Sequence, residues 1–136
     1  MFAAAISNVS CSNVLRIKNS PNGPANAPEF GTVKDSVRCM GLHGMDAFQR
    51  VVPGTKYPAV MCVGGINDPR LIGWQPGELA AARQSASTSG KPMLVRGHCD
   101  KGYFTEDKKV TLRDFANMYA FALWQAGRPD FQPTTK

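Results

Sequence analysis

Asp68 and Arg70 stand two residues apart in Asn67-Asp68-Pro69-Arg70, just after the apolar run Tyr57-Pro58-Ala59-Val60-Met61-Cys62-Val63-Gly64-Gly65. A carboxylate beyond the end of a buried strand lies where open α/β sheets place their chemistry. There it can orient an imidazole, while a guanidinium two residues on can bind a substrate carbonyl or carboxylate. A plainer role is also open to Asp68, that of a turn residue or helix cap before Pro69. Further along come His98, Cys99 and the tight Asp100-Lys101-Gly102-Tyr103 segment. His98 is a candidate base, since it and His43 are the only histidines. On a strand, however, adjacent residues point to opposite faces, so His98 and Cys99 form a dyad only if the chain bends there. Tyr103 is a poor base near neutrality, because a phenol ordinarily titrates near a pH of about 10. No glycine is followed two residues later by a serine, so the Gly-x-Ser-x-Gly elbow of a serine nucleophile is absent from this sequence.

Composition narrows the class. Apolar residues make up 43% of the 136 and charged residues 19%, the balance of one globular domain and not of a disordered chain. The net charge of +6 comes from 16 dispersed Lys and Arg, with no basic stripe interleaved with aromatics, so a nucleic-acid partner is not expected. Cys11, Cys39, Cys62 and Cys99 lack the paired spacing of zinc sites and the density of a disulfide scaffold. Cys39 with His43, and His98 with Cys99, make one arguable pair of pairs, but structural zinc uses tighter spacing; no metal and no cofactor are expected. The opening Met1-Phe2-Ala3-Ala4-Ala5-Ile6 lacks a basic lead and is cut short by Ser7-Asn8, unlike a signal peptide. No apolar run approaches the roughly 20 residues of a membrane span, so no membrane partner is expected. The compartment of the protein is not legible.

The elements that would position these residues follow from punctuation and periodicity. Residues 2–9 read as a short buried parallel strand, and residues 18–32, rich in Pro, Asn and Gly, as an ordered surface loop. One or two short helices are expected within 33–52, a strand over 57–65, a helix from Pro76 to about Ser87, and a strand over 92–96. The last helix has a plausible capping box in Thr111 and Asp114. Its stripe of Leu112, Phe115, Met118, Tyr119, Ala122 and Leu123 reads as core-facing. This order predicts an α/β layer of about three parallel strands with flanking helices.

Six segments, in register, resemble bacterial members of the prolyl oligopeptidase family of serine peptidases. They are Asn22-Gly23-Pro24 with Pro28-Glu29-Phe30-Gly31, Tyr57-Pro58-Ala59-Val60, Asn67-Asp68-Pro69-Arg70, Trp74-Gln75, Ser89-Gly90-Lys91-Pro92 and Ala120-Phe121-Ala122-Leu123-Trp124-Gln125. The match is to the C-terminal part of the catalytic domain. The resemblance implies an α/β-hydrolase fold in three layers, with Asp68 as the triad acid and Arg70 as a substrate-binding arginine. It also implies a peptide or ester substrate if the chain is active. Two departures stand out. Tyr103 occupies the position of the family's base histidine in Asp-Ala-Gly-His-Gly, and the nucleophile elbow is missing. The expectation is therefore a single truncated α/β-hydrolase-like domain over residues 1–136, lacking the elbow half and the β-propeller, and catalytically incomplete alone. The alternatives are a small esterase or peptidase using Asp68, His98 and a serine or Cys99, and a non-catalytic interaction module. In the family the strand matching residues 2–9 is interior, so here its free edge is expected to drive self-association.

Overall fold

The computed structural model describes residues 2–99 and 107–134. Three parallel strands, β1 (Ala4–Asn8), β2 (Ala59–Gly65) and β3 (Met93–His98), form one open sheet in the order β1-β2-β3. The register pairs Ala4 with Ala59 and Asn8 with Val63 on one side, and Val60 with Met93 and Gly65 with His98 on the other. Every residue of β2 is buried, as expected of a continuously apolar central strand covered on both faces.

Alternation along β2 assigns its side chains to two layers. Ala59, Met61 and Val63 pack beneath Met118 and Phe121 of the long helix α5 (Lys108–Gln125). Val60 and Cys62 pack with Met93 against Leu79 and Ala80 of α4 (Trp74–Ala86). A Cβ at Gly64 would come within 3.1 Å of the Pro76 ring, so the missing side chain lets α4 lie close against the sheet. Gly90, at φ 69°, lies in the link between α4 and β3, in a left-handed conformation that glycine adopts without strain.

The segment between β1 and β2 holds the one-turn helices α1 (Val14–Ile17) and α2 (Ala27–Phe30), a 3₁₀ turn at Pro24–Asn26, and α3 (Ser36–Met45). Residues 18–32 are thus partly helical and not a plain loop, because Pro24 and Pro28 sit at turn starts, where their missing N–H groups cost nothing. Buried polar groups fasten this segment to α4. Gln75 Oε1 accepts from the backbone N–H groups of Ser12 and Asn13, and Glu78 accepts from the Asn13 side-chain amide and from Arg16.

Three expectations are corrected. The strand β1 is largely exposed and not buried, since only β2 flanks it and its outer edge pairs with no described strand. Helix α5 starts three residues earlier than Thr111, with Asp107 as the N-cap accepting from Lys109 and Val110; Asp114 is left for another role. The α5 stripe is core only in part. Met118 is buried together with Phe121, which the stripe omitted, whereas Leu112, Phe115 and Tyr119 are 67%, 45% and 65% exposed. Periodicity identified an apolar helix but not how many neighbours it has.

Burial pushes the Cys62 thiol above its ordinary value of 9.0, against the opposing pull of Arg83. A thiol whose pKa is higher folded than unfolded loses its stabilising share as pH rises through and beyond that ordinary value. Stability should therefore fall between neutral and strongly alkaline pH, and less so in Cys62→Ala. Urea midpoints measured at neutral and strongly alkaline pH for both proteins check this.

Candidate active site

The loop after β2 folds back on the end of its own strand. A Cβ at Gly73 would lie 2.5 Å from Ile66 Cα and 2.6 Å from the Gly65 carbonyl oxygen, so only glycine permits this close return. The return buries Asp68, which is 4% exposed. Asp68 Oδ1 accepts from the backbone N–H groups of Arg70 at 2.8 Å and Leu71 at 2.9 Å, the turn role that Asp before Pro allows. Asp68 Oδ2 is equally buried and accepts no hydrogen bond among the described residues. One carboxylate oxygen thus fixes the loop, and the other is a desolvated acceptor whose burial is costly unless a donor reaches it.

The loops after β2 and β3 are tied together. Ile66 N–H donates to the His98 carbonyl at 2.9 Å, and the Asn67 side-chain amide donates to the Cys99 carbonyl. Asp68 therefore stands beside the carboxyl end of the neighbouring strand. Tyr103 lies outside the described residues. Arg70 is exposed on the same loop as Asp68.

His98 is not oriented by Asp68. It ends β3 on the face that carries α5, and its Nε2 lies 3.0 Å from Asp114 Oδ2, in ion-pair contact without the alignment of a hydrogen bond. Asp114 Oδ1 accepts from Nε and Nη2 of Arg96, at 3.3 and 3.2 Å. Arg96 and His98, two apart on one strand, share a face, and one carboxylate from α5 serves both. Asp114 is the residue that sequence reasoning misplaced, as a capping group. The signal available was the i, i+2 spacing of Arg96 and His98, which puts both on one face of the strand. Cys99 follows His98 immediately and is exposed.

An apolar pocket of about 290 Å³ opens near this end of the molecule, lined by Cys11, Val14, Ile17, Phe30, Leu42 and Leu71 among others. Leu71 links it to the Asp68 loop. No group of three His, Cys, Asp or Glu side chains able to hold a metal converges among the described residues. No described helix is long and apolar enough to cross a membrane.

A parallel sheet sandwiched by helices, with its polar residues gathered at the carboxyl ends of the strands, defines a partial α/β-hydrolase fold. The chain belongs to the prolyl oligopeptidase family, which it matches over residues 1–128. Among solved structures it is similar to a prolyl endopeptidase, at 21% identity and a TM-score of 0.86, over 96% of this chain and 19% of that one. It is also similar to oligopeptidase B from Leishmania major, at 20% identity and a TM-score of 0.85, over 91% of this chain and 18% of that one. Prolyl oligopeptidase B from Galerina marginata, in complex with a 35mer hydrolysis and macrocyclization substrate, gives 18% identity and a TM-score of 0.82, over 93% and 18% of the two chains. No curated protein sequence matches the chain. The chain spans less than a fifth of the length of each of these three structures.

Proposed function

We propose that this chain is the acid-bearing part of a peptide hydrolase of the prolyl oligopeptidase type, and that it is catalytically incomplete by itself. The observation that carries this reading is Asp68. It lies three residues beyond the central strand, its backbone turn is fixed through Oδ1, and Oδ2 is held buried. A carboxylate so fixed is suited to orient a basic ring without moving, which is the work of a triad acid. Arg70 on the same loop would anchor a substrate carbonyl or carboxylate, and the pocket beside Leu71 would receive an apolar side chain. Incompleteness rests on the sequence. It has no Gly-x-Ser-x-Gly, and a tyrosine at position 103 where the resemblance places the base histidine. Peptides are the partner class, and no nucleic acid or membrane is assigned.

One observation favours a second reading, a self-contained esterase or peptidase. His98 ends β3 with the Asp114 carboxylate 3.0 Å from its Nε2, so a histidine and an acid already stand together at the carboxyl end of the sheet. Both readings are separated by incubating the protein with a fluorophosphonate probe, a chromogenic ester and a proline-containing peptide. The first reading expects no stoichiometric serine adduct and no turnover above that of Asp68→Ala. A unique labelled serine, with turnover abolished in His98→Ala and less affected in Tyr103→Phe, would replace it by the second.

A further inference from the structure

The backbone ladder between β2 and β3 stops short of Asp68. Its last bond runs from the Ile66 N–H to the His98 carbonyl at 2.9 Å, and the Ile66 side chain lies over Gly97, where a Cβ would meet it at 3.4 Å. Beyond Ile66 the chain turns away from β3, with the Asp68 N–H donating back to the Gly65 carbonyl. A side chain then takes over from the backbone: the Asn67 amide crosses to the Cys99 carbonyl. From the helical layer, Asp114 of α5 meets Arg96 and His98. The exit of β3 is thus gripped by α5 on one side and by Asn67, the immediate neighbour of Asp68, on the other. Every one of these contacts joins elements that the chain itself supplies.

The geometry points to Asn67 as a positioning residue, whose amide sets where the chain leaving β3 stands relative to the Asp68 carboxylate. This rests on the reading of Asp68 as a triad acid. Asp68 Oδ1 is spent on the N–H groups of Arg70 and Leu71, so the orienting of a ring falls to Oδ2, which is buried and accepts nothing among the described residues. A carboxylate locked by its own turn cannot move to meet a partner, so the partner must be brought to it, and hydrogen-bond reach leaves little slack. The segment that carries position 103 departs from Cys99, the residue whose carbonyl Asn67 holds. A hydrogen bond suits this task better than an apolar contact, because its directionality fixes orientation as well as separation. The residue type matters too. Asparagine offers an N–H to the carbonyl, whereas aspartate, of the same shape, would set oxygen against oxygen.

Amide hydrogen exchange followed by NMR on the whole chain tests the hold. In Asn67→Ala and in Asn67→Asp, exchange of the Ile66 amide should quicken at least about tenfold, while amides in the middle of β2 and the urea midpoint stay as they were. Ile66 protection kept in either variant overturns the proposal. So does a loss that spreads through β2, since Asn67 would then stabilise the fold in general. The consequence for the acid is read in Tyr103→His, which supplies the imidazole that the resemblance places there. Its NMR titration midpoint should lie above the ordinary value of about 6.5, because an ionised carboxylate within reach favours the imidazolium. Adding Asn67→Ala should return it to that value. A midpoint raised equally with and without Asn67→Ala leaves Asp68 as the acid and overturns the role of Asn67. An ordinary midpoint in Tyr103→His alone overturns the reading of Asp68, and the positioning role falls with it.

Discussion

Asp46→Ala should lower the stability of the domain by roughly 1–3 kcal/mol. Asp46 is fully buried, and both its carboxylate oxygens are in use. Oδ1 accepts from the backbone N–H groups of Phe48 and Gln49, and Oδ2 from that of Leu15, each at 3.0 Å. Alanine offers no acceptor, and each N–H left buried without a partner costs about 1–3 kcal/mol. Phe48 N–H keeps the Ser12 carbonyl at 2.9 Å and Gln49 is exposed, so the loss falls mainly on the part-buried Leu15 N–H, a sizeable share of the roughly 5–15 kcal/mol that separates a folded domain of this kind from its unfolded chain. The damage is not local, because Asp46 fastens the end of α3 to the start of α1 across 31 residues. Asp46→Asn retains one acceptor oxygen and should fall between the two. Urea denaturation followed by circular dichroism checks the order; equal midpoints for wild type and Asp46→Ala would contradict it.

Phe121→Ala should cost about 3–5 kcal/mol, the range for a large aromatic removed from a close-packed interior. Phe121 is 3% exposed, lies among Ala59, Met61, Val63 and Met118, and meets Trp124 edge to face at 6.0 Å. Few neighbours can collapse into the space, since β2 is held by hydrogen bonds on both sides. Phe115→Ala, on the same helix but 45% exposed, should change the stability of the monomer by less than about 1 kcal/mol. The contrast is measurable by thermal or urea unfolding of the two variants side by side at low protein concentration. Equal losses would mean that α5 is rotated from the orientation described.

Much of this arrangement was legible in the residues. The apolar run to Gly65 read as a buried strand, and Pro92 with Gly90 placed the start of β3 within a residue. Asp68 was recognisable both as a turn former and, through resemblance, as an acid; the structure shows the turn role directly in its bonds to Arg70 and Leu71. What failed was the inference from apolar periodicity to burial. Leu112, Phe115 and Tyr119 carry the spacing of a core stripe, yet spacing records only that a face is apolar and not whether anything covers it. The same holds for β1, whose composition is that of an interior strand in an edge position. Asp114 escaped for a different reason: its partners Arg96 and His98 lie on another element, and their shared face was legible but not the helix residue that meets it. Asp46 and Gln75 were invisible likewise, since their worth lies in backbone groups distant in sequence.

The burial of β2 sets a hierarchy of opening. A strand bonded on both edges and covered on both faces exchanges its amide hydrogens only when the whole domain unfolds, whereas an edge strand such as β1 can peel away in partial excursions. The Asp68 loop is rooted in β2 through the Gly73 return and through Asp68 N–H to the Gly65 carbonyl. Its geometry therefore persists through fluctuations that detach either outer strand. The carboxylate rides on the slowest-exchanging part of the molecule, and whatever assembles against it meets a group already in position.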